Sequence, residues 1–105
     1  MIDLRQQELK KWHDYNFGEA TSLPEWQVLG VCEEAGELAH AILKMRQGIR
    51  ESTKEDAADA FGDIVIYGIQ VMTLLGIDAE EAIRKTVSDV LKRDWKRFPK
   101  NGTTE

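Results

Sequence analysis

Apolar residues recur along this chain at helical spacing, and no stretch alternates as a half-buried strand does. From residue 3 to residue 17, Leu4, Leu9, Trp12 and Phe17 stand among polar neighbours, and Gly18 supplies a stop. A second segment opens at Ser22. Glu25 completes a capping box with it, and Pro24 suits the first turn. This segment runs to Gln47, ahead of Gly48. Val28, Val31, Ala35, Leu38 and Ile42 share its apolar side, while its glutamates project elsewhere with Trp26 and His40. Ser52 and Glu55 read as the capping box of a third segment, which runs to Leu75 before Gly76. From Ala57 onward its apolar residues wrap the whole circumference, the mark of a central helix. Asp78 caps a fourth segment with Glu81 at its third position. It continues to Arg97, with Ile83, Val87, Val90 and Leu91 facing inward.

These elements predict an all-α fold, a four-helix bundle whose two long middle helices form an antiparallel hairpin through residues 48–52. Residues 1–97 form a single helical domain. Pro99, Asn101 and Gly102 mark a polar tail over residues 98–105, expected to be disordered. One chain has few helices with which to cover an all-apolar central helix. Ile66, Ile69, Met72 or their neighbours are therefore expected to meet a second copy in a twofold dimer. In such a dimer the partner's Trp12 or the partner's Trp26 would complete a pocket beside the interface.

Composition narrows the function classes. A chain of 105 residues holds one core. Its net charge of -5 argues against a nucleic-acid polymer or an anionic membrane as partner. A negatively charged small substrate would then need a cation or a local basic patch. Cys32 is the one cysteine, so no intrachain disulfide forms, and its place in the helical pattern suits a small core residue. The first residues are too polar for a signal peptide. The third segment, interrupted by Asp63 and Gln70, is expected to be too short for a membrane span. A cytoplasmic protein is the default.

The candidate chemistry lies in Val31-Cys-Glu-Glu-Ala-Gly-Glu-Leu38. On a helix Glu37 sits under both Glu33 and Glu34. Such an oxygen cluster suits a hard divalent ion, Mg²⁺ or Mn²⁺, although a solvated acidic face has the same pattern. Asp63 stands among apolar residues in the third helix and is expected to be buried. It would then be protonated, paired with a basic residue, or bound to a metal. Asp59 lies one turn earlier on the same face, and Asp56 a turn before that. Glu37 and Asp63 are each about 13 residues from the hairpin's tip, roughly 20 Å of helix either way. Glu33, Glu34, Glu37, Asp59 and Asp63 therefore reach the same level. Glu37-Leu-Ala-His40 has the E-x-x-H form of di-iron bundles, but Ile66 stands where the third helix would need its histidine.

The run Glu33-Glu34-Ala-Gly-Glu37, with acids on a returning helix, resembles the MazG-like nucleoside triphosphate pyrophosphohydrolases, within the all-α superfamily that includes the dimeric dUTPases. The resemblance spans roughly residues 23–95. The family pattern is E-E-x-x-E, then E-x-x-D. With Asp63 as the final Asp, its Glu position is Ala60, and Asp59 is the nearest substitute. The resemblance implies Mg²⁺-dependent hydrolysis of a nucleoside triphosphate to the monophosphate and pyrophosphate, and assembly as a homodimer or a dimer of dimers. It implies Glu34, Glu37 and Asp63 as metal ligands, joined by Asp59, with Glu33 orienting the attacking water or binding a further ion. Basic residues on the family's last helix point to Lys85, Lys92 and Lys96 as phosphate contacts, though that stripe also suits a solvated face. Trp12 and Trp26 suit either stacking on a base or the core. A dUTPase-like or nucleoside diphosphate hydrolase of the same superfamily, or a non-enzymatic helical interaction module, are the alternatives.

Overall fold

The computed structural model describes residues 3–18 and 23–103. Four α-helices and no strand occur among them: α1 (Gln6–Phe17), α2 (Pro24–Gln47), α3 (Lys54–Leu74) and α4 (Ala79–Leu91). The described residues divide into two compact units, one of residues 5–77 with α1 to α3, the other of residues 3–4 and 78–103 with α4.

In the larger unit α2 and α3 pack along one another as an antiparallel hairpin, and α1 lies on α3. The α2 start is shifted from the sequence expectation. Leu23 takes the N-cap position without a side-chain bond and Pro24 opens the helix. Ser22, expected to be the cap, lies outside the described residues. Gly48 ends α2 with φ 68, a left-handed conformation that glycine adopts without strain. The start of α3 is also shifted by one residue. Thr53, not Ser52, is the N-cap, and its capping box closes with Asp56 rather than Glu55. The Asp56 carboxylate accepts from the Thr53 N–H at 2.8 Å, while Ser52 Oγ donates to the Ala41 carbonyl at 3.2 Å. Both registers offer a hydroxyl and an acid at the right spacing. The long-range bond to Ala41 takes Ser52 out of the competition.

The hairpin's inner seam is narrow. Ala41 and Ala60 are buried, and Ile69 is buried on the opposite face of α3. On α2 the inward residues include Gln27, Gly30, Val31, Glu34, Leu38 and Ala41, and Val28, Ala35 and Ile42 are exposed. Of the expected apolar side, Val31 and Leu38 do face inward, while the part that carries Val28, Ala35 and Ile42 is turned outward. Cys32, expected in the core, is exposed with it. Small residues keep the seam narrow, and Gly30 leaves room there for the Tyr67 ring. Ile69, expected to meet a second chain, is only 4% exposed within this one.

α3 has 21 residues and a mean hydropathy of 1.2 over its most apolar window, so by length and composition it is sufficient to cross a membrane, contrary to the sequence expectation. Its Asp59 and Asp63 instead line a cleft of the hairpin.

In the smaller unit the Asp78 carboxylate accepts from the Glu81 N–H at 3.0 Å, the predicted cap. The helix stops at Leu91, short of Arg97. Asp94 ends any continuation by accepting from the N–H groups of Lys96 and Arg97, a local turn that competes with helix. The polar tail is folded back as far as it is described. Asp94 N–H donates to the Gly102 carbonyl at 2.7 Å, and Gly102 N–H to the Phe98 carbonyl at 2.8 Å.

Candidate active site

The hairpin brings Glu33, Glu34 and Glu37 of α2 and Asp56, Asp59 and Asp63 of α3 to the walls of one cleft of about 600 Å³. The α2 glutamates reach it from successive turns, and the three aspartates from successive turns of the returning helix. Asp63, expected to be buried, is half-buried, and Asp59 and Asp56 are exposed. Asp56 is committed to its cap. His40 also lines the cleft.

Electrostatics show how crowded these acids are. The Glu34 carboxyl is held above the ordinary glutamate value, first by loss of hydration and then by the charges of Asp63, Glu33, Glu37 and Asp59. An acid raised by four like charges is a place where a cation would be stabilised. All the donors are hard carboxylate oxygens, the chemistry that Mg²⁺ and Mn²⁺ take. Among the described residues, however, no three such side chains stand close enough to hold an ion as placed. The donors fit the ion by type, but they line a cleft rather than forming a closed cage.

The cleft also contains basic residues that sequence reasoning missed. Lys44 and Arg50 line it, so charge stabilisation need not fall on a metal alone. Lys44 donates to Gln47 Oε1 at 3.0 Å. It sits two turns beyond Glu37 on the same helical face, a signal present in the spacing. Arg50 carries none, because its placement depends on the hairpin turn. There Arg50 and Glu51 take left-handed φ values of 58 and 49, uncommon for residues with a side chain. Lys85, a sequence candidate, pairs with Asp89 at 3.0 Å on its own helix. The Lys85 hydrogen bond and charge hold the Asp89 carboxyl below the usual range. Lys92 is the exposed C-cap residue of α4.

A second pocket, of about 500 Å³, is lined by Trp12, Phe17, Trp26, Ile66 and Tyr67, with His13, Gln27 and Gln70 as its polar members. Glu34 and Asp63 line this pocket as well as the acidic cleft, so the two are contiguous. Trp12 packs edge-on to Phe17 with ring centroids 5.7 Å apart. Both tryptophans remain more than half exposed, and both line the pocket within a single chain. Ile66, expected at a dimer interface, is a wall of this pocket.

Comparison with protein families, with curated proteins and with solved structures gave no match for this chain.

Proposed function

We propose that this protein is a Mg²⁺-dependent nucleoside triphosphate pyrophosphohydrolase. The observation that carries the reading is the junction at Glu34 and Asp63, where an aromatic pocket meets an acidic cleft. A nucleoside triphosphate has the same two-part chemistry, a planar base at one end and a polyanion at the other. Trp12, Trp26 and Tyr67 take the base, as aromatic faces do. Glu34, Glu37, Asp59 and Asp63 would hold the divalent ion, which would supply charge neutralisation for the phosphates and for the attacking water. Glu33 accepts the proton of the attacking water. The water oxygen bonds to the α-phosphorus as the bond from that atom to the α–β bridging oxygen breaks, and pyrophosphate leaves. Lys44 and Arg50 offset the charge that builds on the leaving group.

The test is a pyrophosphate-release assay over ribo- and deoxynucleoside triphosphates, with and without Mg²⁺. The expected result is nucleoside monophosphate and pyrophosphate, formed only with metal. Orthophosphate from a diphosphate would indicate the nucleoside diphosphate hydrolase alternative, and turnover confined to dUTP the dUTPase-like one. No turnover of any nucleotide, with melting indifferent to chelator, would sink the reading in favour of a helical interaction module.

A further inference from the structure

Two residues that line the aromatic pocket, and a smaller cleft as well, each carry a buried polar atom with nothing to bond to. His13 is 9% exposed and Gln27 is 4% exposed, and both line the pocket. His13 Nε2 and Gln27 Oε1 are sealed from solvent and have no hydrogen-bond partner. Their neighbour Gln70, equally buried, is satisfied, since its Nε2 donates to the Leu9 carbonyl at 2.9 Å. Buried polar atoms are nearly always paired, and an orphan calls for an explanation. Two orphans on residues that line one aromatic pocket point to a ligand that supplies both bonds when it seats there.

We infer that His13 Nε2 and Gln27 Oε1 read the hydrogen-bonding edge of a nucleobase held among Trp12, Trp26 and Tyr67. Gln27 Oε1 can only accept, so the base must present an N–H to it. That N–H is a ring imino group or an exocyclic amino group. His13 Nε2 contacts the adjacent position of the same edge. Binding of this kind is selective because a base lacking the N–H leaves the glutamine oxygen buried and unpaired. The inference rests on the nucleotide reading of this pocket, but it concerns binding and not turnover. The competing explanation is a structural one, in which ordered water from the adjoining cleft beside Lys10, Asp14 and Thr73 satisfies both atoms.

The experiment is fluorescence titration of the full chain carrying Trp95→Phe, so that Trp12 and Trp26 report alone. The probes are two matched pairs of nucleosides, deoxyuridine with its N3-methyl analogue and deoxycytidine with its N4,N4-dimethyl analogue. The expected result is that the parent of at least one pair binds at least about tenfold tighter than its methylated analogue. In Gln27→Leu that ratio should fall to about one, and in His13→Phe the parent should bind more weakly. Gln27→Leu should melt no lower than the parent protein, because it removes an unpaired buried oxygen. Should Gln27→Leu fail to fold, Gln27→Met carries the same comparison.

Equal binding of parent and analogue in both pairs would overturn the inference. So would a ratio that survives loss of the Gln27 amide. Nucleoside binding with the expected ratio but no hydrolysis of any triphosphate would keep the edge reading and defeat the proposed reaction. Hydrolysis that ignores N-methylation would do the reverse.

Discussion

The Tyr67 ring fills the space that a side chain on Gly30 would need. A Cβ built on Gly30 overlaps the ring carbons Cγ, Cδ1 and Cε1. The glycine thus lets α3 seat an aromatic residue directly on the α2 backbone, and Tyr67 in turn forms a wall of the aromatic pocket. Local packing of the hairpin and the shape of the candidate base pocket are therefore one feature.

Gly30→Ala should cost about 1–3 kcal/mol, because Tyr67 must shift in a packed seam. It should also weaken nucleotide binding. Gly36, in the same helix, has open space where a Cβ would stand. Gly36→Ala should raise stability by up to about 1 kcal/mol through helix propensity. Urea denaturation of the two variants checks the contrast. A loss at Gly36 would instead mean that another chain packs there.

Metal binding should depend on acids from both helices. Titration calorimetry with Mn²⁺ should show heat that disappears in Glu37→Gln and in Asp63→Asn. Unchanged binding in both variants would remove the metal site.

The two exposed aspartates of α3 should separate activity from stability. Asp59→Ala should lower the rate at least about tenfold, a loss on the scale of a misplaced catalytic group. Asp56→Ala should leave the rate nearly unchanged and cost about 1 kcal/mol, since its carboxylate is spent on the Thr53 capping box. Activity assays paired with thermal melts test this, and equal small rate effects would exclude Asp59 from the site.

The raised Glu34 carboxyl sets a pH dependence whose sign follows from proton binding. With chelator present, the folded chain holds the Glu34 proton to higher pH than the unfolded chain. Stability should therefore fall as pH rises from the ordinary glutamate value through the raised one. Glu34→Gln should flatten that slope in melting curves. Divalent cation should bind more tightly over the same rise, because the carboxylate must lose its proton to act as a ligand.

Apolar side chains remain on the outside of the hairpin. Leu29, Leu43 and Phe61 are each more than half exposed, and Val28 and Ile42 nearly so. Apolar surface in that quantity suits association with a second copy. Sedimentation equilibrium at micromolar concentration should show a dimer or a dimer of dimers. A species at the mass of one chain would defeat this prediction, without touching the pocket that each chain builds for itself.

The sequence by itself determined the number of helices, their type and most of their stops. Those features depend on local chemistry: Gly48 for a left-handed turn, Asp78 for a cap, and apolar spacing near 3.6 throughout. It also determined that the acids of α2 and α3 reach one level, because both helices are measured from the same turn. Tertiary structure decided which face of each helix points inward. Spacing locates an apolar stripe, and Val31 and Leu38 of that stripe do turn inward, but Gln27, Gly30 and Ala41 take the rest of the inner face in place of Val28, Ala35 and Ile42. Tertiary structure alone also decided that Arg50 enters the acidic cleft and that His13 and Gln27 are buried without partners. Each of these depends on atoms distant in the chain or on a turn whose backbone the residue types do not dictate. Charge and polarity in the sequence therefore marked where chemistry is concentrated, and only the packing of α1, α2 and α3 showed which groups share a pocket.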